Sequence, residues 1–216
     1  MTLRLKYPRT FHLPFSPGLQ SDDKMVEDLS FLENKQVVAT VKMDGENTSL
    51  YSDGYLHARS IDSKSNWTRD IAKKLHSEIL HEIPSNWRLC CENVYAKHSI
   101  YYPPGYLKGY LYLLSVWDEN NKCLSWEDTL EFSGLWKLPT PEVLYEGIFD
   151  LKKLQEVAKN LDTELQEGFV VRLKDSFDYN DFSRSVVKYV RKGHVQTDEH
   201  WLKSAIPNGA PGAPFK

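Results

Sequence analysis

Short runs of β-branched and apolar residues recur along this chain and constrain its fold more than any other feature. The run VVATVKM, which begins after Gln36, predicts a buried strand, and TSLYSDGYLHARS predicts a hairpin that turns at Asp53-Gly54. Further strands are predicted at residues 88–93, 110–117, 168–173 and 186–190. Strands therefore dominate the chain.

Helical periodicity is confined to two segments. The apolar residues that recur at helical spacing are Ile71, Leu75, Ile79 and Ile83, and then Leu151, Leu154, Ala158 and Leu161. The order of elements lacks the regular strand-helix alternation of a doubly wound sheet. We therefore predict an α+β fold, in which antiparallel sheets are flanked by helices.

Length and composition indicate one domain. A chain of 216 residues, 41% of them hydrophobic, can bury one substantial core, so we expect a single domain over residues 1–216. Proline-rich residues 1–20 predict an extended N-terminal arm. The Pro and Gly content near the end predicts an irregular tail over residues 205–216.

Charge and cysteine content exclude several classes of protein. The net charge of -3 supplies no bulk attraction for nucleic acid, so any such binding needs a local patch. The three cysteines, two of them adjacent at Cys90 and Cys91, fit neither a disulfide framework nor a zinc spacing, and His194 and His200 are too loosely spaced for zinc. Without a membrane-spanning run or a signal peptide, we expect a cytoplasmic protein with no membrane contact.

The segment KMDGEN places an amine, a carboxylate, a glycine and an amide directly after the first predicted strand. Lys42 can act as a nucleophile only when deprotonated, and an unperturbed lysine has a pKa of ~10.4. We expect burial, the neighbouring cations Lys188 and Arg191, or a divalent cation to lower the pKa of Lys42. Gly45 would let the backbone approach a phosphate, although the same letters also fit a plain turn with a surface lysine.

Further polar clusters lie in or beside apolar strands, where burying charge is costly. They are Arg59, LCCENVYAKHS with Glu92, EGFVVRLKD with Glu167, and VVKYVRKGH with Lys188. KMDGEN precedes these clusters, and YLYLLSVWD lies between LCCENVYAKHS and EGFVVRLKD. The order of these segments resembles the covalent nucleotidyltransferase superfamily of RNA ligases, DNA ligases and mRNA capping enzymes. Asn47 and the segment ENVYAKHSIYY resemble the corresponding motifs of ATP-dependent RNA ligases more than those of DNA ligases.

This resemblance implies a nucleotidyltransferase (adenylation) domain that uses ATP with Mg²⁺, or alternatively Mn²⁺. Lys42 would attack the α-phosphorus of ATP, and its AMP would pass to RNA with 5′-phosphate and 3′-hydroxyl ends. Only some two dozen residues follow Lys192, so we expect no C-terminal oligonucleotide-binding (OB) barrel. A protein partner could then assist RNA recognition.

The resemblance also assigns roles. Lys42 is the nucleophile, with Lys188 and Glu167 as the other catalytic residues, and Glu167 and Asn47 would hold the metal, partly through water. The implied nucleotide-binding residues are Lys42, Asp44, Gly45, Asn47, Arg59, Glu92, Glu167, Lys188, Arg191 and Lys192. Many RNA ligases carry a lysine where this chain has Val190, so either Arg191 or Lys192 would supply that charge.

Ordinary structural interpretations stay open beside these roles. Arg59 could be a solvated hairpin residue, and Lys188 a strand-edge lysine. Tyr112 and Trp117 fit the core better than base stacking, and the arm fits proline-fixed packing better than ligand contact. The competing functions are a noncatalytic RNA-end or nucleotide-binding module, or another polynucleotide ligase or guanylyltransferase.

Overall fold

A computed structural model describes residues 3–21, 23–193 and 205–212. Within these ranges the α-helices and strands, in chain order, are β1 (Phe11–His12), β2 (Gln36–Lys42), β3 (Glu46–Tyr51), β4 (Leu56–His57), α1 (Asp70–Ile79), β5 (Arg88–Asn93), β6 (Leu111–Trp117), β7 (Lys122–Cys123), α2 (Trp126–Trp136), β8 (Val143–Ile148), α3 (Leu151–Lys159), β9 (Gly168–Leu173), β10 (Phe177–Asp178) and β11 (Val186–Val190). The short 3-10 helices are Ser30–Leu32, Trp67–Arg69, Leu80–Glu82 and Tyr179–Arg184.

The strands form two sheets. The first sheet has the order β1-β11-β9-β2-β8, and the second has the order β10-β7-β6-β5-β3-β4. Every pairing is antiparallel except the parallel pair of β1 and β11. The predicted α+β fold of antiparallel sheets is therefore confirmed, and neither sheet closes into a barrel within the described part of the chain.

Apolar clusters pack helices against each sheet, and a further cluster joins the two sheets through Trp117 of β6 and Val186 of β11. On the first sheet, Val37, Phe169 and Val171 pack with Leu154 of α3. On the second sheet, cluster members include Leu89 of β5 together with residues of α1 and α2. No helix in the described ranges is long and apolar enough to cross a membrane.

The N-terminal arm is more closely integrated than the predicted extended segment. Phe11 and His12 form β1, whose register pairs His12 with Lys188 of β11. Further along, the backbone N–H of Gly18 donates a hydrogen bond to the carbonyl oxygen of Val190 at 2.9 Å. The arm thus forms an edge of the first sheet, next to the strand that carries Lys188.

Candidate active site

A cavity of about 590 Å³ lies between the facing sides of the two sheets, and the N-terminal arm contributes to its wall. Its size is within the range of small-molecule binding sites. Six of the residues predicted from the sequence line it: Lys42, Gly45, Asn47, Arg59, Glu92 and Lys188. The fold therefore brings together side chains that are up to 146 positions apart, from Lys42 to Lys188.

Lys42 ends β2 and is paired with Gly168 of β9. A Cβ atom at Gly168 would lie 1.9 Å from the carbonyl oxygen of Tyr189, so only glycine lets β11 approach this closely. The preceding residue, Glu167, is thereby held beside Lys42, whose Nζ donates to Glu167 Oε2 at 2.5 Å. The Glu167 carboxylate is 8% exposed and does not line the cavity.

The pKa of Lys42 is raised, contrary to the expectation from its sequence. Burial alone lowers the pKa of this lysine. The carboxylates of Glu167, Glu92 and Asp44 act in the opposite direction and together outweigh burial. Lys42 is therefore held by Glu167 as a charged ammonium group. The proximity of these three carboxylates to the amine could not be predicted from the sequence.

Glu92 and Asn47 face each other across the pair of β3 and β5. Glu92 Oε1 accepts a hydrogen bond from the backbone N–H of Gly45 at 3.2 Å. A Cβ at Gly45 would lie 2.5 Å from the carbonyl oxygen of Asn93, so a glycine is required for this close approach. Burial raises the pKa of Glu92 to about 8, because the attraction of Lys42 does not compensate for the lost hydration.

The Asp44 side chain binds backbone N–H groups and is not among the residues that line the cavity. Its Oδ2 accepts hydrogen bonds from the backbone N–H groups of Ser99 at 2.7 Å and Ile100 at 2.6 Å. Its own N–H donates to the hydroxyl of Tyr102 at 2.8 Å. Burial raises the pKa of Asp44 to about 6. Asp44 therefore fixes the turn that follows Lys42 against the segment that contains His98.

Lys188 lies in the middle of β11 and faces the cavity together with Val186. Its Nζ donates to Asp23 Oδ1 at 3.2 Å, and Asp23 Oδ2 lies 3.0 Å from Nε2 of His12. Burial lowers the pKa of Lys188, although Asp23 opposes this change. The connection from Lys188 through Asp23 to His12 was not predicted, because nothing in the local sequence links these residues.

The remaining predicted cations differ in position. Arg59 is exposed and lines the cavity, whereas Arg191 and Lys192 are not among the lining residues. The backbone N–H of Arg191 donates to the carbonyl oxygen of Glu167 at 3.0 Å, which ties the end of β11 to the start of β9. Arg69, which was not predicted as a site residue, does line the cavity.

Arg69 is held by a two-pronged ion pair. Its Nε donates to Glu46 Oε1 at 2.5 Å and its Nη2 donates to Glu46 Oε2 at 2.6 Å. A bidentate pair of this kind fixes the guanidinium plane as well as its position. Glu46 is the fifth letter of KMDGEN, so the turn after Lys42 also orients an arginine from a distant segment.

Apolar side chains from both sheets also line the cavity. The register of β5 and β6 shifts between Cys90 and Cys91, which face Ser115 and Leu113. Leu114 is the extra residue at this irregularity, and it lines the cavity, as does Val170 of β9 in the other sheet. Tyr112 and Trp117 on the same strand are buried in apolar clusters, which confirms their interpretation as core residues.

A divalent cation would find few protein ligands here. No group of three or more His, Cys, Asp or Glu side chains suited to a metal occurs in the residues that the structure describes. However, the buried Oδ1 of Asn47 has no hydrogen-bond partner, and Glu167, the other predicted ligand, is an acidic side chain that contacts Lys42. Magnesium that arrives with phosphates keeps several waters and needs only one or two protein oxygens, so this donor set fits such an ion.

A family model described as RNA ligase matches residues 35–190, which include every predicted site residue except Arg191 and Lys192. The chain belongs to the RNA ligase family. The match runs from β2 to β11 and therefore includes the cavity residues of both sheets, whereas β1 and the N-terminal arm lie before it. No curated protein sequence matches the chain.

Solved ligase structures share the fold of this RNA ligase family member. A putative ATP-dependent DNA ligase from Aquifex aeolicus has 21% sequence identity and a TM-score of 0.58, with coverage of 86% of this chain and 50% of that chain. An archaeal ATP-dependent RNA ligase has 17% identity and a TM-score of 0.59, with coverage of 86% and 48%. A Naegleria gruberi RNA ligase has 14% identity and a TM-score of 0.56, with coverage of 86% and 57%. The chain thus spans about half the length of these structures.

Proposed function

We propose that this member of the RNA ligase family is an ATP-dependent RNA ligase that joins 5′-phosphate and 3′-hydroxyl RNA ends. The observation that carries the proposal is the position of Lys42, whose amine faces a cavity that also receives Glu92, Lys188 and Arg59. Among the similar structures are an archaeal ATP-dependent RNA ligase and a Naegleria gruberi RNA ligase variant with ATP and Mn.

The proposed reaction has three group transfers. First, Lys42 Nζ loses a proton and attacks the α-phosphorus of ATP, so that a nitrogen-phosphorus bond forms and pyrophosphate leaves. Next, an oxygen of the RNA 5′-phosphate attacks the same phosphorus, and the lysine amine leaves and regains a proton. Finally, the 3′-hydroxyl loses its proton and attacks the 5′-phosphorus of the adenylylated RNA, which releases AMP.

Glu167 and Asp44 would prepare the nucleophile. Glu167 holds Lys42 Nζ at 2.5 Å and so sets the direction from which the amine meets the α-phosphorus. Because the pKa of Lys42 is raised, the amine must lose a proton to attack, and Glu167 is the acceptor within hydrogen-bond reach. Asp44 keeps the turn after Lys42 fixed through its two backbone contacts.

Positive side chains would stabilise the phosphates. Lys188 lies on the cavity wall and is our candidate for the α-phosphate contact, and Arg59 is suited to grip a phosphate with its planar fork. We keep either Arg191 or Lys192 as the proposed second cation of this strand. Asn47 and Glu167 would hold Mg²⁺ or Mn²⁺, partly through water, and such a cation neutralises charge on the phosphate oxygens when bound.

The adenosine would lie against apolar residues of the cavity wall. Leu114 and Val170 approach it from opposite sheets, and aliphatic side chains on two sides suit a flat base. The backbone amide of Gly45 donates a hydrogen bond to Glu92, which is our candidate for the sugar contact. A cytoplasmic location is also proposed, because all three cysteines are free and buried.

The proposal is tested with RNA whose 5′-phosphate is labelled, incubated with the protein, ATP and magnesium. We expect adenylylated RNA to appear first and phosphatase-resistant sealed RNA to follow. Activity with GTP and a diphosphate RNA end would instead indicate a guanylyltransferase. Tight nucleotide or RNA binding without either RNA product would indicate the noncatalytic module. A nick in duplex RNA, a broken loop and an RNA-DNA hybrid should be compared as substrates.

A further inference from the structure

We propose that Trp67 and Tyr95 form a stacking platform that binds a nucleobase at the RNA end. This inference rests on the proposed RNA ligase function and names the surface that would take its polymeric substrate. Trp67 is 42% exposed, and its ring centroid lies 5.8 Å from that of Tyr95 at an interplanar angle of 79°. Tyr95 in turn packs edge-on to Tyr110, with centroids 5.1 Å apart. The tryptophan ring thus packs against Tyr95 and is open to solvent.

Buried polar contacts hold the short 3-10 helix Trp67–Arg69 in place. Asn66 Oδ1 accepts a hydrogen bond from the backbone N–H of Thr68 at 3.0 Å and so caps the helix. At the other end, Arg69 makes its bidentate pair with Glu46. The residue between them, Thr68, is only 1% exposed. Trp67 is therefore an exposed aromatic ring on a rigid support.

One buried amide joins both aromatic residues to the candidate active site. Asn93 Nδ2 donates to the carbonyl oxygen of Thr68 at 2.9 Å, and Asn93 Oδ1 accepts from the backbone N–H of Tyr95 at 3.1 Å. Asn93 is 2% exposed and directly follows Glu92 on β5. The strand that brings Glu92 to the cavity thus also sets the positions of Trp67 and Tyr95.

The platform borders the cavity rather than lining it. Arg69, two residues after Trp67, and His98, three residues after Tyr95, both line the cavity. A strand whose end reaches the AMP attached to Lys42 would therefore pass close to these rings. Such a strand offers unpaired bases, which proteins commonly bind by stacking on aromatic side chains.

The chemistry of this surface favours RNA over a protein partner. The net charge of -3 supplies no general attraction for a polyanion, so RNA affinity must come from local contacts. Base stacking supplies such contacts without requiring a particular base. A large ring on a backbone held by buried hydrogen bonds also loses little conformational entropy when it binds a flat ligand.

The test compares Trp67→Ala and Trp67→Phe with the unaltered protein in three assays, which measure AMP attachment to Lys42, AMP transfer to a 5′-phosphate RNA and sealing of pre-adenylylated RNA. We expect Trp67→Ala to lower kcat/KM in at least one RNA assay by about tenfold, the lower part of the range for a stacked base. AMP attachment should stay within about twofold, and Trp67→Phe should recover most of the loss because it keeps a ring. The two RNA assays distinguish the 5′-phosphate strand from the 3′-hydroxyl strand as the source of the base.

Trp87→Ala is the matched control, because it removes the same ring near the opposite end of β5, where Trp87 packs on Phe132. It should leave the ratio of RNA transfer to AMP attachment unchanged. The proposal fails if unaltered protein seals RNA and Trp67→Ala does so equally well, or if Trp67→Ala loses AMP attachment in proportion. Absence of sealing by the unaltered protein would instead count against the proposed ligase function. Loss of self-association in Trp67→Ala with full RNA activity would assign the surface to a protein contact and overturn the proposal.

Discussion

Replacement of Glu92 by glutamine should stabilise the protein in the absence of nucleotide. Burial, reinforced by Glu167 and Asp44, raises the pKa of Glu92 from 4.5 to about 8. The folded state therefore disfavours the ionised carboxylate, whereas the unfolded chain does not. Glutamine carries no charge, and its side-chain oxygen can still accept the hydrogen bond from Gly45.

The sign and size of the effect follow from the two pKa values. Below about pH 4.5 the carboxyl is protonated in both states and costs nothing, and the penalty grows as pH rises towards 8. At roughly 1.4 kcal/mol per pH unit, the largest penalty that the ionised Glu92 carboxylate can impose on folding at about pH 7 is on the order of 3 kcal/mol. Because Glu92 is partly exposed, water screens this penalty, and we expect a gain of about 1–3 kcal/mol.

The free energy of unfolding of both proteins should be measured by urea titration at about pH 5 and about pH 7. The advantage of Glu92→Gln should be below about 1 kcal/mol at the lower pH and larger at the higher pH. Glu131→Gln, which changes an exposed glutamate on α2, is the matched control and should show no such trend. A Glu92→Gln protein that is less stable at neutral pH, or whose advantage does not change with pH, would refute this reasoning.

Three further substitutions test other parts of the site. Gly168→Ala should lower the free energy of unfolding by at least about 3 kcal/mol in urea titration, because its Cβ would lie 1.9 Å from the carbonyl oxygen of Tyr189. Lys188→Ala should slow AMP attachment by about 100-fold or more in single-turnover kinetics, whereas Lys122→Ala, outside the cavity, should not; equal rates would contradict the α-phosphate assignment. Arg59→Ala should weaken transfer of AMP to RNA by about tenfold with little change in circular dichroism, and an unchanged transfer rate would exclude a phosphate contact.

Much of the fold could be predicted because its strands have strong local patterns. The predicted ranges 88–93, 168–173 and 186–190 coincide with β5, β9 and β11. The hairpin also turns where predicted, since Gly54 has a φ of +85°, which glycine adopts readily. These segments are buried on at least one face, so tertiary packing agrees with local preference.

The elements that were missed have weaker signals. Strand β8 lies at an edge of the first sheet, and its residues are exposed or half-buried, so it lacks a continuous apolar run. Helix α2 begins at an N-cap, where Ser125 Oγ accepts a hydrogen bond from the N–H of Asp128 at 3.1 Å. Its apolar and aromatic residues are spread around the helix rather than confined to one stripe, so no simple helical period marked it.

The candidate site could be predicted where its residues lie within strand motifs. Lys42, Glu92 and Lys188 were selected from apolar strands that carry an isolated charge, and all three line the cavity. The contacts of Asp23 and Arg69 could not be predicted, because each depends on a partner that is distant in sequence. The predicted direction of the pKa shift of Lys42 was wrong for the same reason. The shift depends on three carboxylates that come together only in the folded chain.

The most direct test of the proposed mechanism is to incubate the purified protein with magnesium and α-labelled ATP, denature it, and map the labelled peptide. The account predicts an acid-labile AMP on Lys42, no label from GTP, and no label in Lys42→Ala protein that retains its circular dichroism spectrum. Label at another residue, persistent label in Lys42→Ala, or no label from unaltered protein freed of bound AMP would contradict the assignment of Lys42 as the nucleophile.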